Sequence, residues 1–159
     1  MEPVRRILLV EDDPNDAELA LQGFIAAGID AAEVAVVTDG QAALDLLLAA
    51  ARQPQGVLPA LVLLDLKMPR VNGLDVLAEM RAVGALSALP VVMMTSSREA
   101  SDIEAAYRLG ANAFVVKPLA FRDFIGVVRS VAEFWARINE PPVACVTRSA
   151  DRSSGGRLG

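Results

Sequence analysis

Five short apolar runs alternate along the chain with longer stretches of helical period, and this alternation constrains the fold more than any single motif. The runs are Ile7–Val10, Val34–Val37, Ala60–Leu64, Val91–Met94 and Ala113–Val116. Each is short, bounded by turn residues and rich in Val, Ile or Leu, as a strand buried on both faces should be. Between and after them lie helical segments at Asn15–Ala27, Gln41–Ala51, Leu74–Val83, Ala100–Leu109 and Arg122–Ile138. Gly28, Gly84 and Gly110 are placed to end the first, third and fourth helices, and Gly40 to open the second. Strands joined through helices require right-handed crossovers, which predicts an α/β fold: a doubly wound parallel sheet covered by helices on both sides. The second strand has the most polar surroundings and is expected at an edge.

Composition narrows the chemistry. The 159 residues suffice for one domain with a substantial core, and 53% of them are hydrophobic. No apolar run approaches the roughly 18 residues that would span a bilayer. The opening "MEPVRRILLV" puts two arginines before an apolar run, but "EDD" follows where a small-residue cleavage site would be needed. It reads as a first strand, and the protein is expected in the cytoplasm. A net charge of −5 and no run of Lys or Arg argue against nucleic acid as a partner. The single cysteine, Cys145, excludes an intramolecular disulfide and a thiolate zinc cluster, and reads as an incidental thiol. No histidine is present, so catalysis through a Ser-His-Asp or Cys-His arrangement is excluded. Chemistry here falls to carboxylates, hydroxyls and lysine.

In a parallel α/β sheet the functional crevice lies outside the carboxyl ends of the strands. The first strand ends in Glu11, Asp12 and Asp13, the third in Asp65, the fourth in Thr95 and Ser96, and the fifth in Lys117–Pro118. Singly these are weak signals. Asp13 before Pro14 fits a helix cap, Thr95 could cap a helix, and a lysine is usually solvated. Together they are specific. In the strand order 2-1-3-4-5 the first and third strands are neighbours, so Glu11, Asp12 and Asp65 share one crevice. Crowded carboxylates repel unless a cation sits among them, and oxygen ligands alone suit Mg²⁺ or Mn²⁺ rather than zinc. The run "ALVLLD", Ala60 to Asp65, delivers a carboxylate from a buried strand with no polar residue between. That placement suits a nucleophile that receives a phosphoryl group, with Lys117 and the Thr95 hydroxyl to meet its oxygens.

The segments "ILLVEDDPNDAELAL", "LVLLDLKMPRVNGLDVL", "LPVVMMTSS" and "GANAFVVKPL" resemble, in order and spacing, the CheY-like receiver domain of two-component response regulators. The resemblance covers Val4 to Ile138 and leaves 139–159, with "PPVACVTRSADRSSGGRLG", as a flexible C-terminal tail. It implies a flavodoxin-like three-layer (βα)5 sandwich. It implies Asp65 as phosphoacceptor, supplied by a sensor histidine kinase or a phosphotransfer protein, and no separate enzymatic turnover. Asp12, Glu11 (largely through water), Asp65 and the main-chain carbonyl of Lys67 would hold Mg²⁺. Lys117, oriented by a cis bond to Pro118, would bind phosphate. Thr95 and Phe114 match the family's switch pair, although an aromatic in a strand is by itself an ordinary core residue. The Lys67 side chain would either reach over the phosphoryl group or point to solvent.

Output would be by contact. On the last helix Phe121, Phe124, Val128, Val131, Trp135 and Ile138, with Ile125, Val127 and Phe134 at the margins, cover about half the circumference. A helix packed on a sheet needs less. The surplus points either to a deep core contact or to a homodimer or partner surface of the fourth helix, fifth strand and fifth helix. The segment "FWARINEPP" looks like the end of single-domain regulators paired with phytochrome-type kinases. Three other readings share parts of the pattern. A Mg²⁺-dependent phosphatase with an aspartyl nucleophile would want a second aspartate where Lys67 stands. A flavin module would want a phosphate-cradling loop where "EDDPNDAE" is acidic. A constitutive interaction module, or a sink that drains a kinase, would carry the same residues.

Overall fold

A computed structural model describes residues 6–53 and 57–142. Cys145 and most of the expected tail lie outside the described residues, as does Val4. Five parallel strands, β1 (Ile7–Val10), β2 (Val34–Val37), β3 (Leu61–Leu64), β4 (Val91–Thr95) and β5 (Ala113–Val116), form one sheet in the order β2-β1-β3-β4-β5. The helices are α1 (Pro14–Ala26), α2 (Gly40–Arg52), α3 (Gly73–Ala82), α4 (Ala100–Arg108) and α5 (Phe121–Ala132). This is the doubly wound parallel sheet expected from the alternation, in the flavodoxin-like form that the resemblance implies, and β2 is indeed an edge strand, with Val36 exposed.

The strand period of two sorts the core into two layers. Leu8, Val10, Val62, Leu64, Val91 and Met93 face α2 and α3, with Ala106 of α4 joining them. Ile7, Leu9, Leu61, Leu63, Val92 and Met94 face α1 and α5. Because β1, β3 and β4 are buried on both faces, every position in them is apolar until the strand ends. The first polar side chain after each strand therefore emerges at one rim.

Local chemistry sets the helix ends. Asp13 is the N-cap of α1, accepting from the backbone N–H of Asn15 and Asp16, with Pro14 at the first helical position. Asn72 and Asp75 form a reciprocal capping box at α3. Gly28 (φ 85°) and Gly110 (φ 101°) take the left-handed conformation that ends α1 and α4. Gly84 does not act this way: α3 ends at Ala82, capped by Val83 in extended conformation, and Gly84 opens a short 3₁₀ turn to Leu86. The last helix also differs from expectation. It is α-helical only to Ala132 and continues as a π-helical turn, Glu133–Ile138. In that turn the Arg137 guanidinium donates to the carbonyl of Ala27, at the end of α1. No helix among the described residues is long and apolar enough to cross a membrane.

Candidate phosphoryl-acceptor site

Each residue at the carboxyl rim is fixed by one ladder hydrogen bond beyond its strand. The Glu11 N–H donates to Val37 O at 3.1 Å, the Asp65 N–H to Val10 O at 3.0 Å, and the Lys117 N–H to Thr95 O at 2.8 Å. The sheet thus holds these backbones rigidly, and their side chains converge. Carboxylate oxygens of Glu11, Asp12 and Asp65 all lie within 4.8 Å of one another. Glu11 and Asp65 are buried, at 4% and 6% exposure, whereas Asp12 is open to solvent. The Asp13 N–H donates to Glu11 Oε1 at 3.1 Å, so the cap residue of α1 also turns Glu11 inward.

Lys117 completes the cluster. Its Nζ lies 2.7 Å from Glu11 Oε2, 2.9 Å from Asp16 Oδ2 and 3.4 Å from Asp65 Oδ2. Among the described residues all peptide bonds are trans, so the cis Lys117–Pro118 bond implied by the resemblance is not present. The ammonium reaches the crevice without it, because the ladder bond to Thr95 and three carboxylates already determine where the side chain goes. Asp16 was not legible as a site residue. It stands in the first turn of α1, three residues after the N-cap Asp13, and reads as an ordinary acid at a helix start. Asp12 precedes that cap, so no helical spacing in the sequence links the two carboxylates.

Burial and crowding set the protonation. Burial pushes the Glu11 carboxyl up to about 7; the Asp65 charge adds to the rise, and hydrogen bonds from Lys117 and the Asp13 N–H oppose it. Asp65 is likewise raised by burial, and Lys117, a hydrogen bond with Glu11 and the Lys67 N–H offset part of that. Burial alone would lower the Lys117 ammonium, but bonds to Glu11 and Asp16 and the Asp65 charge outweigh it and leave its pKa raised. The site is therefore a buried, electronegative oxygen cluster with more carboxylate than one ammonium neutralises. Such a donor set fits a hard divalent cation.

The acceptor loop is tightly drawn. A Cβ at Gly73 would overlap the Asp65 carbonyl oxygen and approach Leu66 Cα to 2.8 Å, so only glycine lets α3 begin this close to the end of β3. In the same loop Arg70 has φ 66°, a conformation that costs a non-glycine residue about 1–2 kcal/mol. Thr95 is fully buried at the end of β4, and its Oγ1 accepts from the Ser97 N–H at 3.3 Å. Phe114 stands opposite Met93 in the β4–β5 ladder and packs, half-buried, on the α2/α3 layer. The Lys67 side chain leaves the crevice: it is 62% exposed, and its Nζ is 3.4 Å from Asp102 on α4.

Residues 7–129 match the response regulator receiver domain. The chain is 37% identical over 139 residues to the probable methanogenesis regulatory protein FilR2 of Methanothrix harundinacea, covering 86% of each chain. It is 33% identical over 142 residues to response regulator Rcp1 of Synechocystis, covering 89% of this chain and 96% of Rcp1. Among solved structures, the phosphorylated cyanobacterial phytochrome response regulator RcpA superposes with a TM-score of 0.78 at 30% identity, covering 88% of this chain and 99% of RcpA. The Mn²⁺-bound form of Rcp1 gives 0.76 at 33% identity, over 86% and 98% of the two chains. The bacteriophytochrome response regulator RtBRR is 46% identical, with a TM-score of 0.65 over 89% and 86%. The fold, the acidic rim and these matches define a class, that of phosphorylation-based signalling modules. The chain belongs to the response regulator receiver domain family, and its relatives include phytochrome response regulators.

Proposed function

We propose that this chain is a response regulator receiver that accepts a phosphoryl group on Asp65 and signals by protein contact from the cytoplasm. The observation that carries the reading is the geometry at Asp65: a buried carboxylate at a strand end, beside Glu11 and Asp12, with the Lys117 ammonium at 3.4 Å. In transfer from a phosphohistidine, an Asp65 oxygen bonds to phosphorus as the P–N bond breaks, and its electron pair returns to the imidazole. Glu11, Asp12, Asp65 and the Lys67 carbonyl would hold Mg²⁺ or Mn²⁺, which when bound neutralises the carboxylates and the incoming phosphoryl oxygens. Lys117 would shift from Glu11 and Asp16 towards a phosphoryl oxygen, since a charge near −2 attracts it more than a single carboxylate. The Thr95 hydroxyl would donate to another oxygen, and Phe114 would move into the space it leaves, so that phosphorylation biases a two-state element. A phosphatase acting on other substrates is disfavoured, because Lys67, where an acid/base aspartate would stand, is turned to α4.

The names of Rcp1, RcpA and RtBRR support a phytochrome-type histidine kinase as donor. A homodimer through α4, β5 and α5 is supported by the apolar side chains left open there: Leu119 is fully exposed, Phe121 72% and Tyr107 52%. Phosphotransfer tests this directly. With Mg²⁺, an autophosphorylated phytochrome-type kinase should pass its label to the wild type and, by light scattering, shift it from monomer towards dimer. Phe121→Glu should accept label at the wild-type rate yet remain monomeric, because it places a charge on the apolar face without touching the crevice. Dimers of equal strength with and without label would replace the switch by a constitutive interaction module.

A further inference from the structure

Lys67 points away from the phosphoryl site into largely open solvent, as one of its two expected placements had it, but it is not without a partner there. Its ammonium meets Asp102 Oδ2 at 3.4 Å, and the Asp102 side chain, at 16% exposure, is largely withdrawn from water. The same Oδ2 accepts from Ser97 Oγ at 2.6 Å. Ser97 Oγ in turn accepts from the Glu99 N–H at 3.2 Å, ahead of α4, and the Ser97 N–H donates to Thr95 Oγ1 at 3.3 Å. One carboxylate oxygen therefore gathers a cation from the acceptor loop and a hydroxyl from the segment that leads from Thr95 into α4.

We propose that Asp102 is a positioning residue that parks the Lys67 ammonium on α4, away from Asp65, so that a phosphoryl group and the first turn of α4 compete for one cation. The inference rests on Asp65 being the phosphoacceptor. Lys67 stands two residues after Asp65 in the acceptor loop, so its side chain starts close to the reacting atoms. Its pair with Asp102 is partly exposed, so exchanging it for a more highly charged phosphoryl group costs little. Once there, the ammonium and its stem obstruct the water that would hydrolyse the adduct. In that hydrolysis the water oxygen bonds to phosphorus, the P–O bond to Asp65 breaks with its electron pair left on the carboxylate, and phosphate leaves with both water hydrogens. Meanwhile α4 loses this tie to the acceptor loop, and Asp102 keeps its hydrogen bond from Ser97.

The test is the decay of the phosphoryl adduct, formed with acetyl phosphate and Mg²⁺, desalted and followed by intact mass. Wild type, Asp102→Asn, Lys67→Gln, Lys67→Arg and the two lysine variants combined with Asp102→Asn are compared. Asparagine still accepts from Ser97 but no longer holds the ammonium by charge. Asp102→Asn should lengthen the half-life about two- to five-fold when residue 67 is Lys or Arg, the range expected for one part-exposed ion pair. It should leave the half-life unchanged when residue 67 is Gln. A change of equal size in the Gln background, no change with Lys present, or a shorter half-life would each overturn the proposal. A wild type that takes no adduct from acetyl phosphate or from a phosphorylated kinase would instead remove the Asp65 reading, and this inference with it.

Discussion

Asp65→Asn should make the metal-free protein more stable at pH 8, by about 1–2 kcal/mol, although it removes the residue on which the proposed function depends. Asp65 is ionised there only against burial, which raises its pKa, and beside a second buried carboxylate, Glu11. The variant relieves both costs. What it gives up is the longest of three ammonium contacts, 3.4 Å against 2.7 Å to Glu11 and 2.9 Å to Asp16. The sign depends on pH. A carboxyl whose folded pKa is raised penalises the fold above that pKa, and the penalty disappears as pH falls through it. The advantage of Asn should therefore shrink at pH 5. With Mg²⁺ at pH 8 it should shrink as well, because wild type keeps a ligand that the variant lacks. Urea midpoints at the two pH values, with and without Mg²⁺, check this. A variant less stable than wild type at pH 8 without metal would mean that the Lys117–Asp65 contact outweighs the burial of Asp65.

The pH profile of the wild type is the second large effect. Glu11 has a folded pKa of about 7 against 4.5 unfolded, so between these values the native state binds more protons than the unfolded one. Stability must then fall as pH rises through this window. The loss is on the order of 2 kcal/mol after allowing for solvent at the mouth of the crevice. Glu11→Gln should flatten the slope. Mg²⁺ binds only the folded cluster and competes with protons for its oxygens. At about one hundred times its Kd it should restore roughly 2–3 kcal/mol at pH 8 and much less at pH 5. Thermal or urea unfolding with Mg²⁺ or EDTA measures all of this. Metal-free stability that rises from pH 5 to 8, with no response to Mg²⁺, would place the carboxylates apart in solution.

The sheet was legible because burial on both faces leaves a plain mark. Runs such as "ILLV" and "LVLL" have no polar position, and the ladder registers follow from their alignment. Strand order then placed Glu11, Asp12, Asp65 and Lys117 at one rim, as the structure does. What escaped the sequence is what depends on side chains meeting across the fold. Asp16 looks like an ordinary helix-start acid until Lys117 arrives from β5. The partner of Lys67 is on α4, an element with no sequence signal linking it to the acceptor loop. The π-helical turn at Glu133–Ile138 continues the same apolar stripe as α5, so periodicity alone could not separate them. The expected cis bond at Pro118 came from resemblance, not from any local requirement, and the trans chain brings Lys117 to the same carboxylates.

Asp65, and no other residue, should take the phosphoryl group. Intact mass after incubation with acetyl phosphate tests this most directly, on wild type and Asp65→Asn, each with Mg²⁺ and with EDTA. Wild type in Mg²⁺ should carry one phosphoryl adduct, and the other three samples none. An adduct of equal yield on Asp65→Asn, or on wild type in EDTA, would contradict this. So would a wild type left unmodified both by acetyl phosphate and by a phosphorylated kinase.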